Sequence, residues 1–154
     1  MAQVLIVGYG NPLRGDDGLG WTVAAELFRQ NQSSEFEVLP CHQLTPELAS
    51  NMQAVEVVVF VDCARDGVPG EFRCIEVQPE ADPSAFTHDL TPAGLLSLTC
   101  ELFGVCPRTY LLSICGARFG TGESLSPEVA RSLPQLKKAL GQLMDRGCAH
   151  LAAS

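Results

Sequence analysis

The chain has 154 residues, of which 46% are apolar, and its 10 Lys and Arg against 18 Asp and Glu give a formal charge of −8. This composition excludes a disordered chain and predicts one domain spanning residues 1–154. The acidic balance argues against nucleic acids and anionic membrane surfaces as partners. No apolar run reaches the roughly 18 residues of a membrane span, and no secretory leader is evident, so we expect a cytoplasmic protein.

Seven cysteines are spread along the chain, an odd number without any CxxC or zinc-knuckle spacing. This pattern does not indicate a structural zinc site. We therefore expect reduced thiols, most of them small residues of the core.

Short apolar runs rich in valine, isoleucine and leucine alternate with segments whose apolar residues recur at helical spacing. In chain order they predict a strand at 4–7, a helix over 21–28, a strand at 36–39, a helix from 45, strands at 55–61 and 72–77, a helix from 91, a strand at 109–115 and a helix over 126–146. The 72–77 segment alternates apolar and polar residues, as a half-exposed edge strand does. Pro134 is expected to kink or divide the last helix.

Alternating strands and helices predict an α/β fold. We expect a three-layer sandwich, in which helices cover both faces of a mostly parallel, twisted sheet of about five strands. In such sheets ligands bind at the carboxyl ends of the strands. This rule selects the loop after the first strand, Cys41-His42 after the second, Asp62-Cys63 after the third and the Cys115-Gly116 end of the last. His88, ahead of the third helix, is placed to reach the same edge.

The loop G-Y-G-N-P-L-R-G at 8–15 first suggests a phosphate site, because glycines let backbone N–H groups approach an anion. Its spacing departs from G-x-G-x-x-G, since Leu13 stands at the third glycine, and no Gly-Lys-Ser/Thr follows. Asp16 and Asp17 also repel a phosphate: at ~4 Å and an effective dielectric of about 20, each pair of charges costs ~4 kcal/mol. A divalent cation reverses the sign of this interaction.

One carboxylate of the Asp16-Asp17 pair, the Asp62 carboxylate and a histidine such as His88 suit a divalent ion like nickel or zinc. Each residue also has a structural explanation. An acid at a helix start is commonly a cap, an Asp at a strand end can accept loop N–H groups, and a lone His is commonly a surface residue. Cys63 is expected to be a core thiol rather than a soft metal ligand.

Three features stand together: the motif G-x-G-N-x-L-x-x-D-D-G-x-G at 8–20, the Val-rich strand ending in Asp62, and Thr87-His88 ahead of a Leu-rich helix. In these features the chain resembles the hydrogenase maturation endopeptidases. The resemblance implies a cytoplasmic protease that removes a C-terminal extension from the large-subunit precursor of a nickel-iron hydrogenase after nickel insertion. Carried over residue by residue, it implies metal contacts at Asp17, Asp62 and His88, and leaves Asp16 as a cap or supporting residue.

The resemblance also implies that nickel held by the precursor is the recognition handle, so no permanently bound metal is expected. A nickel-free precursor leaves two carboxylates facing each other without a cation, which makes discrimination electrostatic. Asp17 or Asp62 is the expected base for an attacking water, since Cys41-His42 is a poor dyad: adjacent strand residues point to opposite faces. The string His-Gln-Leu-Thr-Pro-Glu-Leu at 42–48 resembles the subgroup serving bidirectional, NAD(P)-linked hydrogenases.

Two functions of other classes are also compatible with the sequence. A nickel-delivery or chaperone protein would use the same three residues without cleaving a peptide bond. A nucleotide-binding enzyme would use the glycine-rich loop for phosphate. We expect a monomer in every case, because no heptad pattern or broad apolar patch is evident.

Overall fold

The computed structural model describes residues 2–80, 90–122 and 124–153, with residues 148–153 as backbone only. The predicted order of strands and helices is confirmed. The elements are β1 (Val4–Tyr9), a 3-10 turn (Gly15–Gly18), α1 (Leu19–Gln30), β2 (Phe36–Cys41), α2 (Leu48–Met52), β3 (Val57–Ala64), β4 (Phe72–Val77), α3 (Pro92–Phe103), β5 (Arg108–Cys115) and α4 (Pro127–Ala153).

The five strands form a sheet in the order β2-β1-β3-β5-β4. β1, β2, β3 and β5 run parallel, and β4 pairs antiparallel with β5 at the edge. β2 lies on one side of β1 and β3 lies on the other, so the direction in which strands are added to the sheet reverses between β1 and β3. In open α/β sheets such a switch point leaves a crevice at the carboxyl ends of the two strands.

Two apolar layers cover the sheet, as the expected sandwich requires. Alternate side chains of β1 enter opposite layers: Val4 and Ile6 face α1 and α4, whereas Leu5 and Val7 face α2 and α3. All four side chains are completely buried. The sequence signal for this arrangement was the continuous apolar run of β1, which is typical of a strand buried on both faces.

Several predicted boundaries move. α1 begins at Leu19 and is preceded by the 3-10 turn, and α2 begins at Leu48, because the segment from Thr45 first forms a turn closed by Leu48 N–H donating to the Thr45 carbonyl. The helix predicted from 91 is found as α3, and Thr91 is its N-cap, with its hydroxyl oxygen accepting from Gly94 N–H at 3.0 Å. α4 continues through Pro134 without dividing.

The expectation of reduced thiols is wrong for Cys100 and Cys106, which form a disulfide. The reason is local: Gly104 takes a left-handed conformation after α3 and reverses the chain, which brings Cys106 back beside the last helical turn. The free cysteines of the described side chains are Cys63 and Cys115, which are buried, Cys41, which is partly buried, and Cys74, which is exposed.

Within the described residues, none of the helices combines the length and the apolar character needed to cross a membrane.

Candidate functional site

A cleft of about 830 Å³ opens at the carboxyl ends of β1 and β3, where the strand order reverses. Asp17 and Asp62, which lie far apart in the sequence, both line it. Tyr9, His42 and Arg65 contribute to the same walls. The strand-end rule therefore located the cleft, whereas the metal-binding and catalytic roles of Asp17 and Asp62 stay predictions.

Asp17 is positioned by the 3-10 turn that follows β1. Its Oδ2 accepts a hydrogen bond from Asn11 N–H at 2.9 Å, which ties the carboxylate to the start of the loop. This fold-back requires Gly10, whose φ is 140° and where a Cβ would lie 1.9 Å from the Asp17 carbonyl oxygen. The Asp17 side chain keeps 22% of its surface exposed, so it is fixed and still accessible from the cleft.

The glycines of the first motif also bring α1 close to the sheet. At Gly20 a Cβ would lie 2.2 Å from the Val61 carbonyl oxygen and 2.5 Å from that of Tyr9. Only a residue without a side chain lets the first turn of α1 pack on the ends of β1 and β3. This motif therefore has a packing role here, independent of any phosphate.

Asp62 lies inside β3, because the strand continues two residues beyond it. Its neighbours Val61 and Cys63 belong to the core layer of α1 and α4, so Asp62 projects from the opposite face into the cleft. Its Oδ1 accepts from Cys63 N–H at 2.7 Å, and it also accepts a hydrogen bond from the Tyr9 hydroxyl.

Burial raises the pKa of Asp62 to about 6, the hydrogen bonds from Cys63 and Tyr9 oppose this rise, and the negative charge of Asp17 adds to it. Burial and the neighbouring Asp62 also raise the pKa of Tyr9, so the phenol stays a hydrogen-bond donor. Asp62, hydrogen-bonded to Tyr9, is therefore a carboxyl group whose charge changes just below neutral pH, and such pKa values are typical of general bases.

Asp16 was expected to be a cap or a supporting residue, and it is not the cap of α1: Gly18 is the N-cap and no side chain caps it. The Asp16 carboxylate is completely buried and accepts three backbone hydrogen bonds, from Ala117, Arg118 and Ser126, at 2.7 to 2.9 Å. Burial alone would raise its pKa, but these hydrogen bonds hold the pKa below its usual value. Asp16 therefore ties the first loop to the segment that joins β5 to α4.

Sequence reasoning missed two residues of the cleft. Tyr9 follows Gly8, which pairs with Val61, so the register of β1 and β3 places Tyr9 beside Asp62. That register was the signal that could have found it. Arg65 lies just beyond β3, with Nη2 3.4 Å from Asp17 Oδ1 and Cζ 4.6 Å from the centre of the Phe119 ring. Nothing in the sequence around Arg65 indicated either contact.

The other candidates stand as follows. Cys63 lines the cleft, but burial and the nearby Asp16, Asp62 and Asp17 raise its pKa to about 12, which favours a protonated core thiol. His42 lines the cleft with its ring 6.3 Å from that of Trp21, whereas burial raises the pKa of Cys41 and disfavours a thiolate.

His88 lies outside the described residues, and its predicted role stays a prediction. Among the described side chains, no three His, Cys, Asp or Glu residues cluster closely enough to hold a metal ion. Asp17 and Asp62 supply two oxygen-bearing side chains of the kind that divalent ions accept.

No protein-family model matches the sequence, and neither does any curated protein. Solved structures of similar fold include several hydrogenase maturation proteases. The [NiFe] hydrogenase maturation protease HycI from Thermococcus kodakarensis is 24% identical with a TM-score of 0.74, over 94% of this chain and 93% of that one. The maturating endopeptidase HybD from E. coli is 23% identical with a TM-score of 0.74, over 94% of both chains. The hydrogenase 2 maturation peptidase from a Thaumarchaeota archaeon is 25% identical with a TM-score of 0.63, over 90% and 98%. The chain therefore has the fold of the hydrogenase maturation proteases.

Proposed function

We propose that this chain is an endopeptidase that removes the C-terminal extension of a nickel-iron hydrogenase large-subunit precursor after nickel insertion. The observation that carries the proposal is the convergence of Asp17 and Asp62 in one cleft, at the switch point of a fold shared with hydrogenase maturation proteases. The precursor is the partner, and its nickel is part of the substrate.

Recognition follows from the charges of the cleft. Asp17 and Asp62 repel each other, as the effect of Asp17 on the pKa of Asp62 indicates. A precursor that presents nickel between them relieves this repulsion, whereas an empty precursor does not. With His88 as the third contact, binding then reports whether the metal has been inserted.

Catalysis requires a base and an activated carbonyl group. In the free cleft Asp62 has a pKa of about 6, so it is ionised at neutral pH when the precursor arrives. Its carboxylate is then the proposed base that takes a proton from an attacking water. The Tyr9 hydroxyl fixes the direction of its carboxylate. Nickel held by the precursor, contacted by Asp17, supplies the Lewis acid that polarises the scissile carbonyl.

We assign the recognition of a particular precursor to the segment after β2. His42, Gln43, Leu44 and Pro46 line the cleft beside Asp17 and Asp62. They belong to the string that resembles the subgroup for bidirectional, NAD(P)-linked hydrogenases, and on that resemblance we propose this subgroup as the source of the precursor. We further propose that residues 1–154 act as one domain, as a monomer, in the cytoplasm.

Incubation with purified nickel-loaded precursor tests the proposal by intact mass. We expect wild type to shorten the C-terminus of the precursor, and Asp17→Asn and Asp62→Asn to leave it uncut. Asp145→Asn, on the exposed side of α4, is the matched control and is expected to cleave normally. An unchanged precursor mass together with strong nickel uptake by the protein alone would instead favour a nickel-delivery protein.

A further inference from the structure

One positive charge lies among the carboxylates of the cleft. The Arg65 guanidinium is 3.4 Å from Asp17 Oδ1 and acts electrostatically on Asp62 as well. Because Asp17 Oδ2 already accepts from Asn11 N–H, Arg65 faces the other oxygen of that carboxylate. A cation that binds to Asp17 must therefore compete with Arg65.

Arg65 is held from its other side by an aromatic ring. Its Cζ lies 4.6 Å from the centre of the Phe119 ring, and Phe119 packs against the core layer of α1 and α4. The Arg65 side chain nevertheless keeps 60% of its surface exposed. Exposed ion pairs contribute little to stability, so the contact with Asp17 can break without disturbing the fold.

We propose that Arg65 is a displaceable counter-ion of the cleft, which opposes the binding of free divalent cations and yields to nickel presented by the precursor. The inference rests on the proposed function and adds a specificity-determining residue to it. A free metal ion gains only its bonds to the carboxylates when it displaces Arg65. A docked precursor also makes protein contacts of its own, so it stays bound at a displacement cost that leaves a free ion weakly bound.

Calorimetric titration of the isolated protein with NiCl₂ tests this role. Arg65→Gln is expected to bind free Ni²⁺ about fivefold more tightly than wild type, which is ~1 kcal/mol at about 1.4 kcal/mol per factor of ten. Arg65→Lys, which keeps the charge, is expected to stay near wild type. Arg73→Gln is the matched control, because it removes the same charge from an arginine paired with Asp66 and Glu71 outside the cleft.

Three results would overturn the inference: equal affinities in wild type and Arg65→Gln, no detectable Ni²⁺ binding by Arg65→Gln, or the same gain in Arg73→Gln. The last result would show a general effect of net charge. Because the titration contains no precursor, its failure is distinct from failure of the cleavage assay, which tests the proposed function.

Discussion

Replacing Asp62 by Asn is expected to stabilise the free protein at neutral pH. Burial raises the pKa of Asp62 from 3.8 to about 6. A difference of this size between unfolded and folded chains corresponds to ~3 kcal/mol of unfolding free energy. Asn cannot ionise, and its side-chain oxygen can still accept from Cys63 N–H, so the variant avoids the cost of a buried charge while it keeps that contact.

The sign of the effect follows from the direction of the pKa change. Because the folded pKa lies above the unfolded one, the stability due to the neutral carboxyl is complete below about pH 3.8 and is lost as the pH rises through 6. The advantage of Asp62→Asn over wild type is therefore expected to reach ~3 kcal/mol at pH 8 and about half of that at pH 5.

Urea unfolding followed by circular dichroism at pH 5 and pH 8 measures this difference. Asp145→Asn is again the control, and its advantage over wild type is expected to be small and independent of pH. If Asp62→Asn is no more stable than wild type at pH 8, or if its advantage is the same at both pH values, the electrostatic account of the cleft is refuted.

Further predictions concern Asp16, His88 and the pH dependence of cleavage. In Asp16→Asn an amide NH₂ replaces one carboxylate oxygen and faces backbone N–H groups as a second donor. We therefore expect the free energy of unfolding to fall by ~3 kcal/mol and the Tm by about 6–12 °C. An unchanged Tm would contradict the role of Asp16 in holding the two segments together. Since hydrogen bonds lower the pKa of Asp16, wild type is expected to lose this contribution as the pH falls below about 3.8, and the variant is not. His88→Gln is expected to impair cleavage with an unchanged unfolding curve, and cleavage at the native rate would remove His88 from the site. The kcat/KM for cleavage by wild type is expected to fall about tenfold per pH unit below pH ~6 as Asp62 of the free enzyme is protonated, and a flat profile would exclude Asp62 as the base.

The fold and the location of the cleft could be predicted because both depend on local patterns. The apolar runs of β1 and β3 mark buried parallel strands, and the carboxyl ends of such strands meet at one edge of the sheet. This reasoning was enough to bring Asp17 and Asp62 together across the gap between them in the sequence. The starts of α1 and α2 were predicted wrongly because each helix is preceded by a turn, and the hydrogen bonds of such a turn differ little from those of a first helical turn.

The remaining features depend on contacts that no local pattern encodes. Asp16 has the appearance of a helix cap, yet its partners lie 101 to 110 residues away. Arg65 faces Asp17 and Phe119 only because three loops meet at the switch point. The pairing of Cys100 with Cys106 depends on the left-handed turn at Gly104, which the spacing of the cysteines alone does not reveal.

Anomalous scattering from a crystal soaked in millimolar nickel or cadmium tests the central claim most directly, because it locates the metal without any assay of activity. We predict a strong peak bonded to carboxylate oxygens of both Asp17 and Asp62, at about 2.0–2.4 Å, with the His88 imidazole on the same ion and Arg65 moved away from Asp17. Metal peaks only at other side chains, with Asp17 still paired to Arg65, would contradict the account.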